Sequence, residues 1–207
     1  MKNYLMLNNK QIKLSSEQVK QIEESFGSNR TELKNIPVGE TFKVGELEFI
    51  VIEHKEEFPG HTETLVILKD FWKTAKFDDE SNDYKNSSIR KLLNTDFYEL
   101  LSKSVGAENI VNHTVNLTAD DGRTDYGSCD DGISLLDCDM YRKYVYILEK
   151  HNPKKWWWLV TPYSTKSNGY NFSVRCVRSL GTMDDDSCGH DVGVRPFCIL
   201  KSSIFVS

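Results

Sequence analysis

The feature that most constrains the fold is a run of three tryptophans, Trp156 to Trp158, followed by Leu-Val-Thr and then Pro162. A short apolar run that stops at a proline indicates a buried β-strand. Because adjacent residues of a strand face opposite sides, Trp156 and Trp158 share one face and Trp157 lies on the other. Two interpretations of Trp157 stay open. It packs in the core, or it stacks against a sugar, a base or a partner's side chain.

A second apolar segment, Gly193-Val194-Arg195-Pro196, follows further along the chain. An arginine between apolar residues needs a carboxylate or backbone carbonyl oxygens as partners. We expect Arg195 to form a buried salt bridge with one of the Asp-rich segments, and a phosphate or carboxylate ligand is the alternative. The residues between the two apolar segments are mostly Asn, Ser, Asp, Tyr and Gly. This contrast predicts a rigid scaffold that carries a long irregular surface.

Composition narrows the classes of protein that fit. The chain has 207 residues, 39% of them hydrophobic, and a formal net charge of -5. Nine Tyr, ten Phe and four Trp favour strands and loops over a helical bundle. No basic run suggests nucleic-acid phosphates as a partner, and no apolar stretch is long enough for a membrane span. Five cysteines, an odd number, and a polar N-terminus predict reduced thiols and a cytoplasmic protein.

The first residues form a predicted appendage. Tyr4–Leu7 and Gln11–Leu14 alternate apolar and polar residues around an Asn-Asn-Lys turn, which predicts a β-hairpin. The Ser15–Gln18 segment is a capping box, because Ser and Gln stand three residues apart before an apolar helical face. We therefore predict a hairpin and helix over residues 1–34 and a main domain over residues 35–207.

The main domain shows both strand and helix periods. Ser87 or Ser88 is predicted to cap one helix, and Asp137 or Asp139 another. The predicted strands cover residues 42–52 as a hairpin, 64–68, 110–117, 156–162, 172–177 and 192–200, the predicted helices lie within 89–105 and 140–148, and the predicted loops are 55–62, 120–139 and 184–191.

Five segments together carry a resemblance to a known family: Ile133–Leu136, Tyr141–Tyr144, Trp156–Pro162, Val174–Val177 and Gly193–Pro196. The chain resembles, over most of the main domain, a family of uncharacterised domains of Gram-positive bacteria, their prophages and phages. That family is similar to C-type-lectin-like domains, and more distantly to formylglycine-generating enzymes and to the variable proteins of diversity-generating retroelements. The resemblance implies an α+β fold with two helices, a small twisted antiparallel sheet and long irregular loops.

Two polar segments supply the candidate binding residues. Recognition usually takes place on loops that a rigid scaffold holds, and Tyr, Asn and Asp combine contact area with adaptable hydrogen bonding. One segment runs from Tyr163 to Asp191, and the other is the Asp-rich stretch 120–139. The candidate residues, with the outward-facing tryptophan included, are Trp157, Tyr163, Asn168, Tyr170, Asn171, Asp184, Asp185, Asp186, His190, Asp120, Asp121, Asp125, Tyr126, Asp130 and Asp131.

The Asp clusters leave two interpretations, an irregular calcium site or a solvated acidic surface. Asp184 and Asp186 match an EF-hand loop at its start, but Cys188 and Arg195 stand where oxygen ligands are needed. Cys188-Gly-His190 lacks a second cysteine pair, so the zinc pattern is weak and buried free thiols are favoured. We expect no resident cofactor.

No motif of a hydrolase, nucleotide-binding or metalloprotease site is present in the sequence. We expect a non-catalytic module that binds a protein or ligand through its polar and aromatic loops. The resemblance implies a phage or prophage origin and hence action in the host cytoplasm, and the charge and hydropathy of the sequence lead us to expect no membrane and no direct nucleic-acid contact. One alternative is an inhibitor of a host defence nuclease, of the anti-CRISPR type, that uses an acidic surface. Another is an oxidoreductase of the formylglycine-generating type.

Overall fold

A computed structural model describes residues 4–7, 10–19, 30–58 and 61–207. The protein is an α+β protein in which strands predominate, as predicted. The strands are β1 (Tyr4–Leu7), β2 (Lys10–Lys13), β3 (Thr31–Glu32), β4 (Thr41–Val44), β5 (Leu47–Phe58), β6 (His61–Leu68), β7 (Lys73–Ala75), β8 (Ile110–Val111), β9 (His113–Asn116), β10 (Ser128–Asp131), β11 (Ile133–Ser134), β12 (Trp157–Pro162), β13 (Ser173–Val177), β14 (Met183–Ser187), β15 (Val192–Val194), β16 (Phe197–Lys201) and β17 (Phe205–Val206).

The helical segments are short except at two places. Helix α1 is described over residues 16–19. Helix α2 (Ser88–Leu92) continues through a π-helical turn, Leu93–Phe97, into α3 (Tyr98–Val105), and α4 is Cys138–Lys150. Short 3₁₀ turns lie at Leu33–Asn35, Tyr84–Asn86, Ala107–Asn109 and Lys166–Asn168. No helix in the described residues is long and apolar enough to cross a membrane.

The N-terminal hairpin and its capping box are confirmed within the described residues. Strands β1 and β2 pair antiparallel, from Tyr4 opposite Lys13 to Leu7 opposite Lys10. The backbone N–H of Ser15 donates to Gln18 Oε1 at 3.0 Å, and the backbone N–H of Gln18 donates to Ser15 Oγ at 3.1 Å. These reciprocal bonds satisfy donors that a helix N-terminus leaves free. The rest of the predicted helix, which includes residues 22 and 26, lies outside the described residues.

The larger sheet of the main domain has the order β11-β16-β6-β5-β4, with β8 beside β16. Its central strands are buried on both faces, which is why they are apolar without strict alternation. On β5, Phe49 and Val51 belong to one core cluster, and Ile50 and Ile52 belong to the other. The α2–α3 segment packs in the first cluster and α4 in the second, so the sheet lies between the two helical segments.

The second sheet has the order β14-β13-β12-β15-β7 and is built around the tryptophan run. Strand β12 pairs antiparallel with β13 and parallel with β15, where Trp157 lies opposite Gly193. The binding interpretation of Trp157 is wrong, because Trp157 is only 1% exposed and packs in the second core cluster. Its neighbour Trp158 lies in the first cluster, so both faces of β12 are covered.

The expected salt bridge of Arg195 is also wrong. Its Nε donates to Leu68 O at 2.7 Å, and its Nη2 donates to Lys69 O at 3.0 Å and to His151 O at 3.3 Å. The guanidinium is completely buried and lies 4.9 Å from the centre of the Trp157 ring. Burial lowers the pKa of Arg195 to about 10, so the side chain stays charged at neutral pH. Carbonyl oxygens at the ends of β6 and α4 take the place of the expected carboxylate. The carbonyl at the end of α4 favours a cation in particular, because a helix C-terminus carries partial negative charge.

Three polar stretches contain strands that the sequence did not predict. The predicted loop 55–62 is wrong over most of its length, because its two sides continue β5 and β6 and pair antiparallel. Residues 184–187 of the predicted acidic turn belong to β14, which pairs antiparallel with β13. The predicted loop 120–139 contains β10, which pairs with β9, and the short strand β11. Aspartate has a low intrinsic preference for strands, and here the neighbouring strand supplies arginines that offset it. Arg175 on β13, for example, pairs with Asp185 on β14.

Gly193 is the position on β15 where a larger residue should destabilise the fold. A Cβ atom there would lie 2.8 Å from Trp156 O and 3.1 Å from the Phe71 ring. We predict that Gly193→Ala lowers the free energy of unfolding by about 1–3 kcal/mol, because overpacking must displace backbone. Urea denaturation measures the effect. Gly189→Ala is the matched control, since its nearest neighbour would be Ser187 Oγ at 4.0 Å. Equal stability of the two variants would contradict the prediction.

Candidate binding site

Two polar loops meet at one end of the second sheet, and a buried asparagine joins them. We call residues 163–173 the tyrosine loop and residues 119–127 the aspartate loop. The Asn82 side chain is completely buried. Its Nδ2 lies 2.9 Å from Ser164 O, 3.1 Å from Tyr170 O and 2.8 Å from Ser173 O, so two N–H groups serve three carbonyl oxygens of the tyrosine loop. Both ends of this loop are thereby fixed to one side chain.

The aspartate loop is attached to the same asparagine. Tyr126 donates its hydroxyl hydrogen to Asn82 Oδ1 at 2.8 Å, and its hydroxyl oxygen accepts from the Lys166 backbone N–H at 3.1 Å. The backbone N–H of Asn82 donates to Asn171 O at 2.8 Å. The side chain of Asn82 therefore uses its donors and its acceptor, and the two loops form one hydrogen-bonded unit.

Asp125 makes a second connection between the loops. Its Oδ2 accepts hydrogen bonds from the hydroxyl groups of Thr165 and Ser167. Those bonds, first from Ser167 and then from Thr165, lower the pKa of the Asp125 carboxyl below its usual value of 3.8. Hydrogen bonds to a carboxylate favour its charged form, so the connection is complete at neutral pH.

The loops enclose a cleft of about 410 Å³. Five predicted residues line it, and three further residues that the sequence reasoning did not select also line it. The predicted residues are Asp120, Asp121, Tyr163, Asn168 and Tyr170, and the others are Arg123, Ser164 and Arg175. Sequence spacing alone could not bring the two segments together, because the contact depends on the path of β12 into the tyrosine loop.

The carboxylates of the cleft already have partners within the protein. Asp120 accepts from Arg142 at 3.1 Å and forms an ion pair with Arg175. Asp121 accepts from Arg123 at 2.7 Å and from the Ser164 hydroxyl at 2.5 Å. The hydrogen bond from Ser164, followed by those from Arg123, lowers the pKa of Asp121. The cleft is thus close to neutral in charge, in spite of its acidic sequence.

Three aromatic rings form an exposed row beside the cleft. Tyr163, Tyr170 and Phe172 are 39%, 49% and 48% exposed. The ring centres of Tyr163 and Tyr170 are 6.2 Å apart, and those of Tyr170 and Phe172 are 6.1 Å apart. The Arg175 guanidinium lies 4.8 Å from the centre of the Tyr163 ring, which fixes the position of that ring. Solvent-exposed aromatic side chains held in this way are suited to contact a partner.

The remaining predicted residues lie outside the cleft. On the edge strand β14, Asp184 pairs with Arg178, Asp185 with Arg175 and Asp186 with His190. The two arginine pairs hold β14 beside β13, and the histidine contact lies within the turn that follows β14, so all three aspartates have partners without a ligand.

Two further predicted residues lie on β10. Asp131 is 6% exposed and forms a salt bridge of 2.8 Å with Arg90 on α2. It is therefore structural, and its assignment to a binding surface is wrong. Asp130 accepts a hydrogen bond from the Thr114 hydroxyl at 2.7 Å, across the β9–β10 pair. Of the seven aspartates of the predicted loop 120–139, two line the cleft, one joins the two loops, two lie on β10 and two lie at the N-terminus of α4.

The alternative of an irregular calcium site and the prediction of free thiols can be compared with the geometry. Among the described residues, no three His, Cys, Asp or Glu side chains converge as a metal-binding group. The five cysteines are free, as predicted, and all except Cys129 are buried. Burial raises the pKa of Cys176 to about 12 and that of Cys138 to about 11, which suppresses the reactive thiolate.

Comparison with known proteins gives one match. Residues 123–202 match the model of a domain of unknown function, DUF6273. The matched part includes β10 to β16 and the tyrosine loop, but it excludes Asn82 and the first four residues of the aspartate loop, 119–122. No curated protein and no solved structure matches the chain significantly.

The connection through Asp125 should respond to acid. Its folded pKa is lowered, so its stabilisation is fully present above the unfolded value, near pH 4, and is lost as pH falls through the folded value. We predict that Asp125→Asn removes this part of the acid dependence and increases amide hydrogen exchange in the tyrosine loop at neutral pH. Exchange measured by NMR between pH 5 and the acid transition tests this. Asp79→Asn, at an exposed position, is the control. An unchanged acid profile in Asp125→Asn would contradict it.

Proposed function

We propose that the protein is a non-catalytic binding module that recognises a protein partner through the cleft and the aromatic row. The observation that supports the proposal is that the exposed aromatic rings belong to a loop whose backbone is held by hydrogen bonds to a buried side chain. Tyr170 is 49% exposed, yet its carbonyl oxygen is held by the buried side chain of Asn82. A surface that is already ordered loses little conformational entropy on binding, which favours affinity.

We also propose that the scaffold is a C-type-lectin-like domain of phage or prophage origin that acts in the host cytoplasm. The support comes from the order of motifs around the tryptophan run and from the long polar loops beside a small sheet. The described architecture adds two helical segments, α2–α3 and α4, on the two faces of the larger sheet. Fold alone does not fix function, so the binding role rests on the cleft.

Inhibition of a host nuclease by an acidic surface is the alternative proposal. It has less support from the contacts, because a mimic of nucleic acid must present unpaired negative charge. Asp120, Asp121 and Asp184 each pair with an arginine of the same chain. The oxidoreductase alternative has less support again, because the raised pKa of Cys176 and Cys138 opposes thiolate chemistry.

Selection of binders followed by substitution tests the proposed function. Peptides from bacterial and phage proteomes would be displayed, selected on the wild-type protein and measured by titration. We predict that Tyr170→Ala weakens the selected binders by about tenfold or more, since exposed aromatic anchors carry much of the binding energy at interfaces.

Tyr146→Ala is the matched control, because Tyr146 is a tyrosine on α4 that is 81% exposed and does not line the cleft. Its substitution should leave binding unchanged. Binders that tolerate Tyr170→Ala as well as Tyr146→Ala would show that the cleft is not the binding surface.

A further inference from the structure

The geometry points to a proline-rich segment in the polyproline II conformation as the partner of the aromatic row. This inference rests on the proposed function and specifies the chemistry of its ligand. It depends on three properties of the cleft: the spacing of the rings, the balance of hydrogen-bond donors and acceptors, and the neutral charge.

Ring spacing is the first property. The ring centres of Tyr163, Tyr170 and Phe172 are separated by 6.2 Å and 6.1 Å in succession. A polyproline II helix rises about 3.1 Å per residue and has three residues per turn, so one turn spans about 9.3 Å and the row of three rings is long enough to contact about one turn. The rings of neighbouring pairs are tilted by 54° and 35°, so they contact one another without forming a parallel stack, and each ring keeps part of its surface exposed. Aromatic grooves of this kind accept proline rings, and the preformed polyproline II conformation keeps the entropy cost low.

The balance of donors and acceptors is the second property. Within the described part of the chain, the hydroxyl groups of Tyr163 and Tyr170 have no hydrogen-bond partner, and Arg123 uses only Nη1 of its guanidinium, toward Asp121. These groups are free to donate. The carboxylates of Asp121 and Asp125, in contrast, already accept hydrogen bonds from the loops. A ligand rich in acceptors and poor in donors fits this surface.

Prolines meet that requirement better than sugars do. Each proline residue offers a carbonyl oxygen and has no N–H group. A sugar presents many hydroxyl groups that donate as well as accept, and it would need free acceptors in the cleft. The carboxylates that could serve are paired with Arg175, Arg142 and Arg123.

Charge is the third property. Asp120 and Asp121 are matched by arginines within the cleft and its rim, so the lining has little net charge to attract an ionic ligand. An uncharged proline-rich segment is electrostatically matched to such a lining, whereas a strongly basic or acidic peptide would require these ion pairs to open.

Titration with defined probes tests the inference on the full chain. The probes are decaproline, a glycine–serine decapeptide and a β-1,4-linked glucose hexasaccharide, each followed by amide shifts in NMR. We predict that decaproline shifts the amides of the tyrosine loop and that the other two probes do not. Tyr170→Ala should weaken decaproline binding about tenfold, and Tyr170→Phe, which keeps the ring and loses one hydrogen bond, about threefold. Tyr146→Ala should have no effect.

The outcomes separate this inference from the proposed function. If decaproline fails to bind while library-selected peptides still depend on Tyr170, the ligand class is wrong and the binding module stands. Binding of the hexasaccharide at the tyrosine loop in place of decaproline would overturn the inference in favour of carbohydrate. Decaproline binding that survives Tyr170→Ala would place the peptide elsewhere and overturn it as well. If neither decaproline nor any selected peptide depends on Tyr170, both proposals fail.

Discussion

The hydrogen bonds of one buried amide, that of Asn82, determine how the tyrosine loop and the aspartate loop are arranged. An amide that is buried without partners costs free energy, so the chain must bring carbonyl oxygens and a hydroxyl to it. It does so with Ser164, Tyr170 and Ser173 from the tyrosine loop and with Tyr126 from the aspartate loop. The exposed side chains on these loops are therefore positioned by hydrogen bonds that the buried amide requires.

The second sheet fixes the position at which the tyrosine loop begins, because β12 is paired on both sides and leads into that loop. Strand β12 is held at Trp157, which packs in the same core cluster as α4 and lies 4.9 Å from the Arg195 guanidinium. Arg195 in turn donates hydrogen bonds to carbonyl oxygens at the ends of β6 and α4. The strand ends at Pro162, whose carbonyl oxygen accepts from the Asp120 backbone N–H at 3.0 Å. The tyrosine loop thus begins beside the aspartate loop, and the hydrogen bonds of Asn82 add to this contact between the two loops.

Elements with a local chemical signal could be predicted from the sequence, and elements that depend on distant partners could not. Ser15 and Gln18 form the predicted capping box, and Asp137 accepts from the Met140 N–H at 2.7 Å as the predicted cap of α4. Strand β14 was missed because its aspartates become compatible with a strand only when arginines lie beside them, one on β13 and one directly after it. The binding role of Trp157 was wrong because burial of its face requires α4, which precedes it in the chain.

The residues of the site differ in the same way, because some carry a local signal and others depend on distant partners. Tyr163, Tyr170 and Asn168 could be selected because polar and aromatic residues between apolar strands indicate an exposed loop. Asn82 could not be selected, because it lies in an ordinary polar stretch. The carbonyl oxygens that it binds are more than eighty residues away along the chain. Long-range hydrogen bonds of this kind leave no periodic pattern for sequence reasoning to detect.

Hydrogen exchange in Asn82→Ala tests the central claim most directly. The claim predicts at least tenfold faster exchange at the Tyr163 and Tyr170 amides, which bond to Ser173 O and Thr165 O, because loss of the side chain leaves carbonyl oxygens unsatisfied. Amides of the central strands β5 and β6 should exchange as in the wild-type protein, and Asn86→Ala, at an exposed asparagine nearby, should change neither set. Unchanged protection of the tyrosine loop in Asn82→Ala would contradict the account.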